Sequence, residues 1–106
     1  MILVDETWAG RTLDLPVGQA VELRLKENPT AGFVWRITQS GAPSCRVAED
    51  AFEPPAQAIP GQPGQHRWRI EGVASGICTL AFAYGRPWEA DRPAATTYAL
   101  TIRVGM

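Results

Sequence analysis

"AVELRLKENPTAGFVWRI", residues Ala20 to Ile37, carries the pattern that decides the fold class. Val21, Leu23 and Leu25 alternate with Glu22, Arg24 and Lys26, and a period of two marks a strand with one face in the core and one in water. The turn formers Asn28, Pro29, Thr30 and Gly32 interrupt the alternation. It then resumes with Phe33, Trp35 and Ile37 directed inward.

The same period recurs outward along the chain. "HRWRI" places Trp68 and Ile70 inward between Arg67, Arg69 and Glu71, and "TTYALTIRV" offers Tyr98, Leu100, Ile102 and Val104 to the core and Thr101 and Arg103 to water. "GICTLAFAY" is apolar on both faces, with Cys78, Leu80, Phe82 and Tyr84 on one and Ile77, Ala81 and Ala83 on the other. That pattern is expected of a central strand. Shorter strands are expected at Ile2 to Val4, near Thr12 to Leu15, and at Cys45 to Ala48. Ten Gly and nine Pro, spread as "PVGQ", "SGAPS", "PGQPG", "GRPW" and "DRP", punctuate these segments, and no helical stripe is present. The reading is an all-β protein, an antiparallel β-sandwich of seven or eight short strands. Residues 49–64, "EDAFEPPAQAIPGQPG", are the least regular stretch, with room for one turn of helix. The order Trp35, Cys45, Cys78 differs from the Cys, Trp, Cys order of antibody domains, so that likeness is of architecture only.

At 106 residues the chain is expected to be a single domain, residues 1–106, large enough to bury a core. With 45% hydrophobic and 20% charged residues it has a globular composition. A formal net charge of -1, with Lys and Arg dispersed, gives no footprint for nucleic acid or an anionic membrane. No apolar run approaches the roughly 20 residues that span a bilayer. "MILVDETWAG" lacks the basic start, apolar core and cleavage site of a signal peptide, so the chain as given carries no address. Nine of the ten basic residues are Arg, a bias of GC-rich genomes that hints at a bacterium.

Cys45 and Cys78 either form one disulfide or remain two buried free thiols; each sits in an apolar alternation that suits a thiol, and free thiols are expected. One His with two distant Cys cannot supply a zinc site, and no cofactor is expected. Nor is an enzyme: His66, the only histidine, lies in strand phase with Trp68 and Ile70 at a strand end or core edge, with no nucleophile assembled around it. The acidic run Glu49, Asp50 and Glu53 reads as a solvated face.

Three loops remain. In the first, Pro29 fixes its own φ and holds Asn28 extended while Gly32 accepts a positive φ, leaving Thr30 as the side chain that acts outward. In "YGRPWEADRP", Trp88 belongs to no apolar alternation and is stiffened by Pro87, as an anchor for a partner would be; the alternative is an indole folded back over the sandwich edge. In "IPGQPGQ", Gly61 and Gly64 permit close backbone approach.

Taken in this order, "NPTAGFVW", a central glycine loop and "RPW" resemble the chagasin family of cysteine peptidase inhibitors. Its members typically show Asn-Pro-Thr-Thr-Gly-Tyr/Phe, Gly-x-Gly-Gly and Arg-Pro-Trp/Phe loops. The likeness extends over nearly the whole chain, including "PVGQAVELRL" and a Pro-Pro pair before the second loop. The resemblance implies an immunoglobulin-like β-sandwich, expected as a monomer, that reversibly and tightly inhibits papain-like cysteine peptidases without being an enzyme. It implies that Asn28, Pro29, Thr30, Ala31 and Gly32 enter the active-site cleft, with Thr30 near the catalytic Cys-His pair. Gly61 and Gly64 would contact the non-primed side, and Arg86, Pro87 and Trp88 the primed side. Ala31 replaces the usual second Thr, and Pro63 replaces a Gly and removes an N–H. The alternative is an immunoglobulin-like module that binds a glycan or another protein through Trp88 and Trp8.

Overall fold

The computed structural model describes residues 2–28, 32–55, 63–89 and 92–105. The chain folds as a sandwich of two four-stranded sheets. Its strands are β1 (Ile2–Val4), β2 (Thr12–Pro16), β3 (Ala20–Glu27), β4 (Val34–Ser40), β5 (Cys45–Glu53), β6 (Gly64–Gly72), β7 (Gly76–Gly85) and β8 (Thr96–Gly105). One sheet has the order β1-β3-β6-β5 and the other β2-β8-β7-β4. The expected antiparallel pairing holds for β3–β6, β6–β5, β4–β7 and β7–β8, whereas β1 joins β3 and β2 joins β8 in parallel. The parallel pairs arise because the N-terminal segment runs up one sheet, crosses over at the short 3₁₀ turn Glu6–Trp8, and runs back down the other. Asp5 caps that turn, accepting the Thr7 N–H at 2.9 Å, and these bonds hold its carboxyl below the usual range.

The alternations of β3, β6 and β8 fill the space between the sheets. Val21, Leu23, Leu25, Trp68, Ile70, Leu100 and Ile102 are essentially inaccessible, and each such side chain contributes about 1.5–3 kcal/mol relative to an exposed one. The Trp68 ring lies 4.7 Å from Phe82, whose edge meets Tyr98 at 5.9 Å. Tyr98 donates its hydroxyl to the Asp5 carbonyl at 2.8 Å, and burial pushes that hydroxyl's pKa up.

Four expectations are corrected. Cys45 and Cys78 are bonded as a disulfide, joining β5 of one sheet to β7 of the other. β5 extends through Glu53, so Glu49 to Glu53 form strand and not irregular chain. Its charges are tolerated because β5 is an edge strand. Far from being merely solvated, Glu49 and Glu53 each stand 2.7 Å from the Arg67 guanidinium of β6, which is held more basic than usual. Finally, β7 is central, between β8 and β4, as expected, but its outer face is covered only in part: Ala83 is buried, whereas Ile77 is 71% exposed.

The registers fix where the loops go. Glu27, at the end of β3, pairs with Gly64 at the start of β6, and Gln65 pairs with Glu53 at the end of β5. In the other sheet Val34, at the start of β4, pairs with Gly85 at the end of β7, and Tyr84 pairs with Thr96 at the start of β8. The connections 28–33, 54–63 and 86–95 therefore emerge from one end of the sandwich. The first of them crosses from one sheet to the other, which is why "AVELRLKENPTAGFVWRI" gives two strands that do not pair with each other.

Candidate functional site

Tyr84, the penultimate residue of β7, is the platform of this end. Its hydroxyl accepts the Asn28 N–H at 3.0 Å, its ring lies 4.7 Å from Trp35, and Phe33 stacks on it at 5.5 Å. The Arg86 guanidinium lies over the Phe33 ring, 4.6 Å from its centroid. Phe33 therefore precedes β4 and stands outside the buried core, whereas Trp35 and Ile37 pack against that core. The expectation that all three anchor the core holds for two of them. Phe33 serves the loop instead, because two rings and a guanidinium stacked at the sheet end bury apolar surface without a place inside.

The third loop begins with a 3₁₀ turn, Pro87–Glu89, closed by the Glu89 N–H donating to the Arg86 carbonyl at 2.9 Å. Pro87 opens the turn, a position where a missing N–H is harmless. Glu89 holds the turn through Arg86 at 3.3 Å and Arg92 at 3.5 Å. Trp88 projects from it and remains 71% exposed. A groove of about 380 Å³ is lined by Phe33, Arg36, Arg86, Pro87, Arg92 and Pro93.

Gly32 joins the first and third loops. Its φ is +86°, and a Cβ there would lie 2.4 Å from Cη2 and 3.0 Å from Cζ2 of Trp88. Only a glycine allows both that backbone shape and that approach of the indole. The structure thus brings together Asn28, Gly32, Arg86, Pro87 and Trp88. Pro29, Thr30, Ala31 and Gly61 lie outside the described residues.

Gly64 stands apart from this group. It is buried at the start of β6, and a Cβ on it would meet the Glu53 carbonyl at 2.4 Å and the Phe52 ring at 2.6 Å. Packing therefore explains the glycine. We predict that Gly64→Ala destabilises the fold by about 1–3 kcal/mol, because a backbone carbonyl cannot swing aside as a side chain can. A melting temperature unchanged from wild type would refute this role.

Sequence reasoning overlooked Tyr84 as a platform and two residues directly below the loops, Glu27 and His66. The signal for Glu27 was present: it continues the inward phase of Val21, Leu23 and Leu25, and a carboxylate in an apolar phase demands a partner. Trp8, which a glycan- or protein-binding module would present, is half-buried against the core with Arg11 over its ring at 4.5 Å.

Residues 14–102 match the model of the chagasin family of peptidase inhibitors, I42. Chagasin of Trypanosoma cruzi is 32% identical over 83 residues, spanning 74% of this chain and 76% of its own. Amoebiasin-2 of Entamoeba histolytica is 25% identical over 96 residues, spanning 87% and 77%. In fold, the chain is similar to the crystal structure of the cysteine protease inhibitor EhICP2 of Entamoeba histolytica, with a TM-score of 0.82, 17% identity, and coverage of 97% and 93%. These organisms are protozoa and lend no support to a bacterial source.

Proposed function

The chain belongs to the chagasin family and is an inhibitor of papain-like cysteine peptidases, not an enzyme; we propose that it blocks their active-site cleft with the three loops gathered at one end of its sandwich. Residues Asn28 to Gly32 occupy the cleft, and Thr30 offers its hydroxyl to the thiolate-imidazolium pair. Ala31 keeps this tip narrow. Arg86, Pro87 and Trp88 dock on the primed side, where the indole buries a large apolar face. The middle loop, which carries Gly61 in its sequence and ends at Gly64, rests on the non-primed side.

The observation that carries this reading is the contact of Gly32 with Trp88, which makes two of the loops one preformed surface. An inhibitor need not react. It must fill the cleft without presenting a bond in attack geometry, and a surface that is already ordered loses little entropy on docking. Interfaces of standard size, about 1,600 Å², range from micromolar to picomolar affinity, and preorganisation with a central aromatic anchor is what moves one toward the tight end.

Titration of papain activity tests the proposal, and absence of inhibition at micromolar protein overturns it. Trp88→Ala is expected to weaken inhibition about thirtyfold or more, as loss of an aromatic hot spot worth about 2 kcal/mol does. Its melting temperature is expected to stay at the wild-type value, because the indole is largely exposed in the free inhibitor. Wild-type inhibition by this variant would remove Trp88 from the contact surface.

A further inference from the structure

Glu27 is the last residue of β3 and is 2% exposed, yet it carries a carboxylate in the phase of the core. Three groups converge on it. The Trp35 N–H of β4 donates to its Oε2 at 2.6 Å, and His66 Nδ1 of β6 lies 3.0 Å from Oε2 and 3.1 Å from Oε1. The other ring nitrogen of His66 meets the Asp50 carboxylate of β5, and the imidazole stacks on Trp68 at 4.1 Å. Trp35 returns a second bond, its indole N–H donating to the Lys26 carbonyl at 2.9 Å.

These contacts span the stems of two loops. Lys26 and Glu27 lead into the first loop and Trp35 follows it, while His66 stands two residues after Gly64 at the close of the middle loop. Glu27 also belongs to one sheet and Trp35 to the other, so the same carboxylate sets the distance between sheets at this end.

We propose that Glu27 and His66 are positioning residues for inhibition: their buried pair fixes the stem of the cleft-filling loop against that of the middle loop, so that both meet the peptidase in one arrangement. The physical ground is that a buried ion or polar pair is a poor source of stability. Removing two such groups from water costs about as much as their attraction returns, and apolar residues of similar volume in their place are often neutral or stabilising. Core phase alone would be served as well by leucine or methionine. What an apolar pair cannot do is accept the Trp35 N–H and hold an imidazole at a set angle, and those directional bonds are what define the stem.

The inference rests on the proposed inhibition, and its test separates the two. The double variant Glu27→Met/His66→Leu is expected to melt no more than about 10 °C below wild type, the loss that follows from leaving the Trp35 N–H without its acceptor, yet to inhibit papain at least tenfold more weakly, through faster dissociation. The single variant Glu27→Gln, which keeps an oxygen for the Trp35 N–H, is expected to recover most of that loss. In the free inhibitor, with no peptidase present, the amide hydrogens of Gly32, Phe33 and Trp35 are expected to exchange at least tenfold faster in the double variant, while those of Leu100 and Ile102 do not change. Where the double variant does not fold, His66→Leu decides alone: faster exchange at Trp35 with weaker inhibition is expected, and wild-type exchange and inhibition count against the pair. Wild-type inhibition and exchange in the double variant would overturn the inference while leaving the inhibitor reading intact. Absence of inhibition by the wild type would overturn the inhibitor reading instead.

Discussion

Gly32→Val is expected to weaken papain inhibition by about two orders of magnitude while lowering the melting temperature by only a few degrees. Two costs act at this position. A β-branched residue held at a φ of +86° is a backbone outlier costing about 1–3 kcal/mol. Separately, its Cβ would lie 2.4 Å from the Trp88 ring, so the indole must leave its place, and an aromatic anchor is worth about 2 kcal/mol or more. Every 1.4 kcal/mol or so is a factor of ten in affinity.

Where those costs appear is decided by the surroundings of Gly32. It lies outside every strand and outside the buried core, so the stem can change shape without opening the sandwich. The loop yields, the core does not, and the loss falls on binding. A double-mutant cycle isolates the indole. In a Trp88→Ala background the clash is absent, so Gly32→Val should cost there about tenfold less than in the wild type. Equal costs in both backgrounds would mean that Gly32 and Trp88 act independently, and a melting temperature lowered by tens of degrees would make Gly32 a residue of the fold.

The strands of the core were legible because one face of each must be apolar. The alternations around Leu23, Trp68 and Leu100 mark residues that the structure buries completely. The extension of β5 was not legible, since Glu49 and Glu53 satisfy their charges on Arg67 of the neighbouring strand, and pairing across strands leaves no trace in local periodicity. The site divides in the same way. Trp88 stood out because it fits no alternation, and Gly32 because it ends a turn. Their contact could not be read from the chain, because residues 56 positions apart meet only through the register of β4 with β7. Glu27 was legible in phase but not in purpose: Trp35 on β4 is brought to it by the crossing of the first loop between sheets, and His66 on β6 by the register of that strand with β3.

The strand registers also explain why the disulfide is expected to matter for stability and not for inhibition. Cys45 pairs in register with Gly72, at the end of β6, and Cys78 with Ile102, late in β8. Both cysteines therefore lie at the end of the sandwich opposite the three loops, where they join the sheets. The bridge closes a segment with a sequence separation of 33. Closing a loop of this length in the unfolded chain removes entropy equivalent to about 3–4 kcal/mol at 25 °C. For a domain of this size each kcal/mol shifts the midpoint by about 4–8 °C, so Cys45→Ala/Cys78→Ala is expected to melt about 15 °C or more below wild type. Treating the wild type with a reductant should lower the midpoint nearly as far. The two sulfur-bearing side chains are almost fully buried, so the alanines add a small cavity cost that reduction does not. At 25 °C, where the variant is still folded, papain inhibition should match wild type within about twofold, a difference of about 0.4 kcal/mol. A midpoint insensitive to reduction would show that the unfolded chain is not constrained by this bridge. A loss of inhibition in a folded, reduced protein would show that the far end of the sandwich communicates with the loops, against the division of labour that the registers imply.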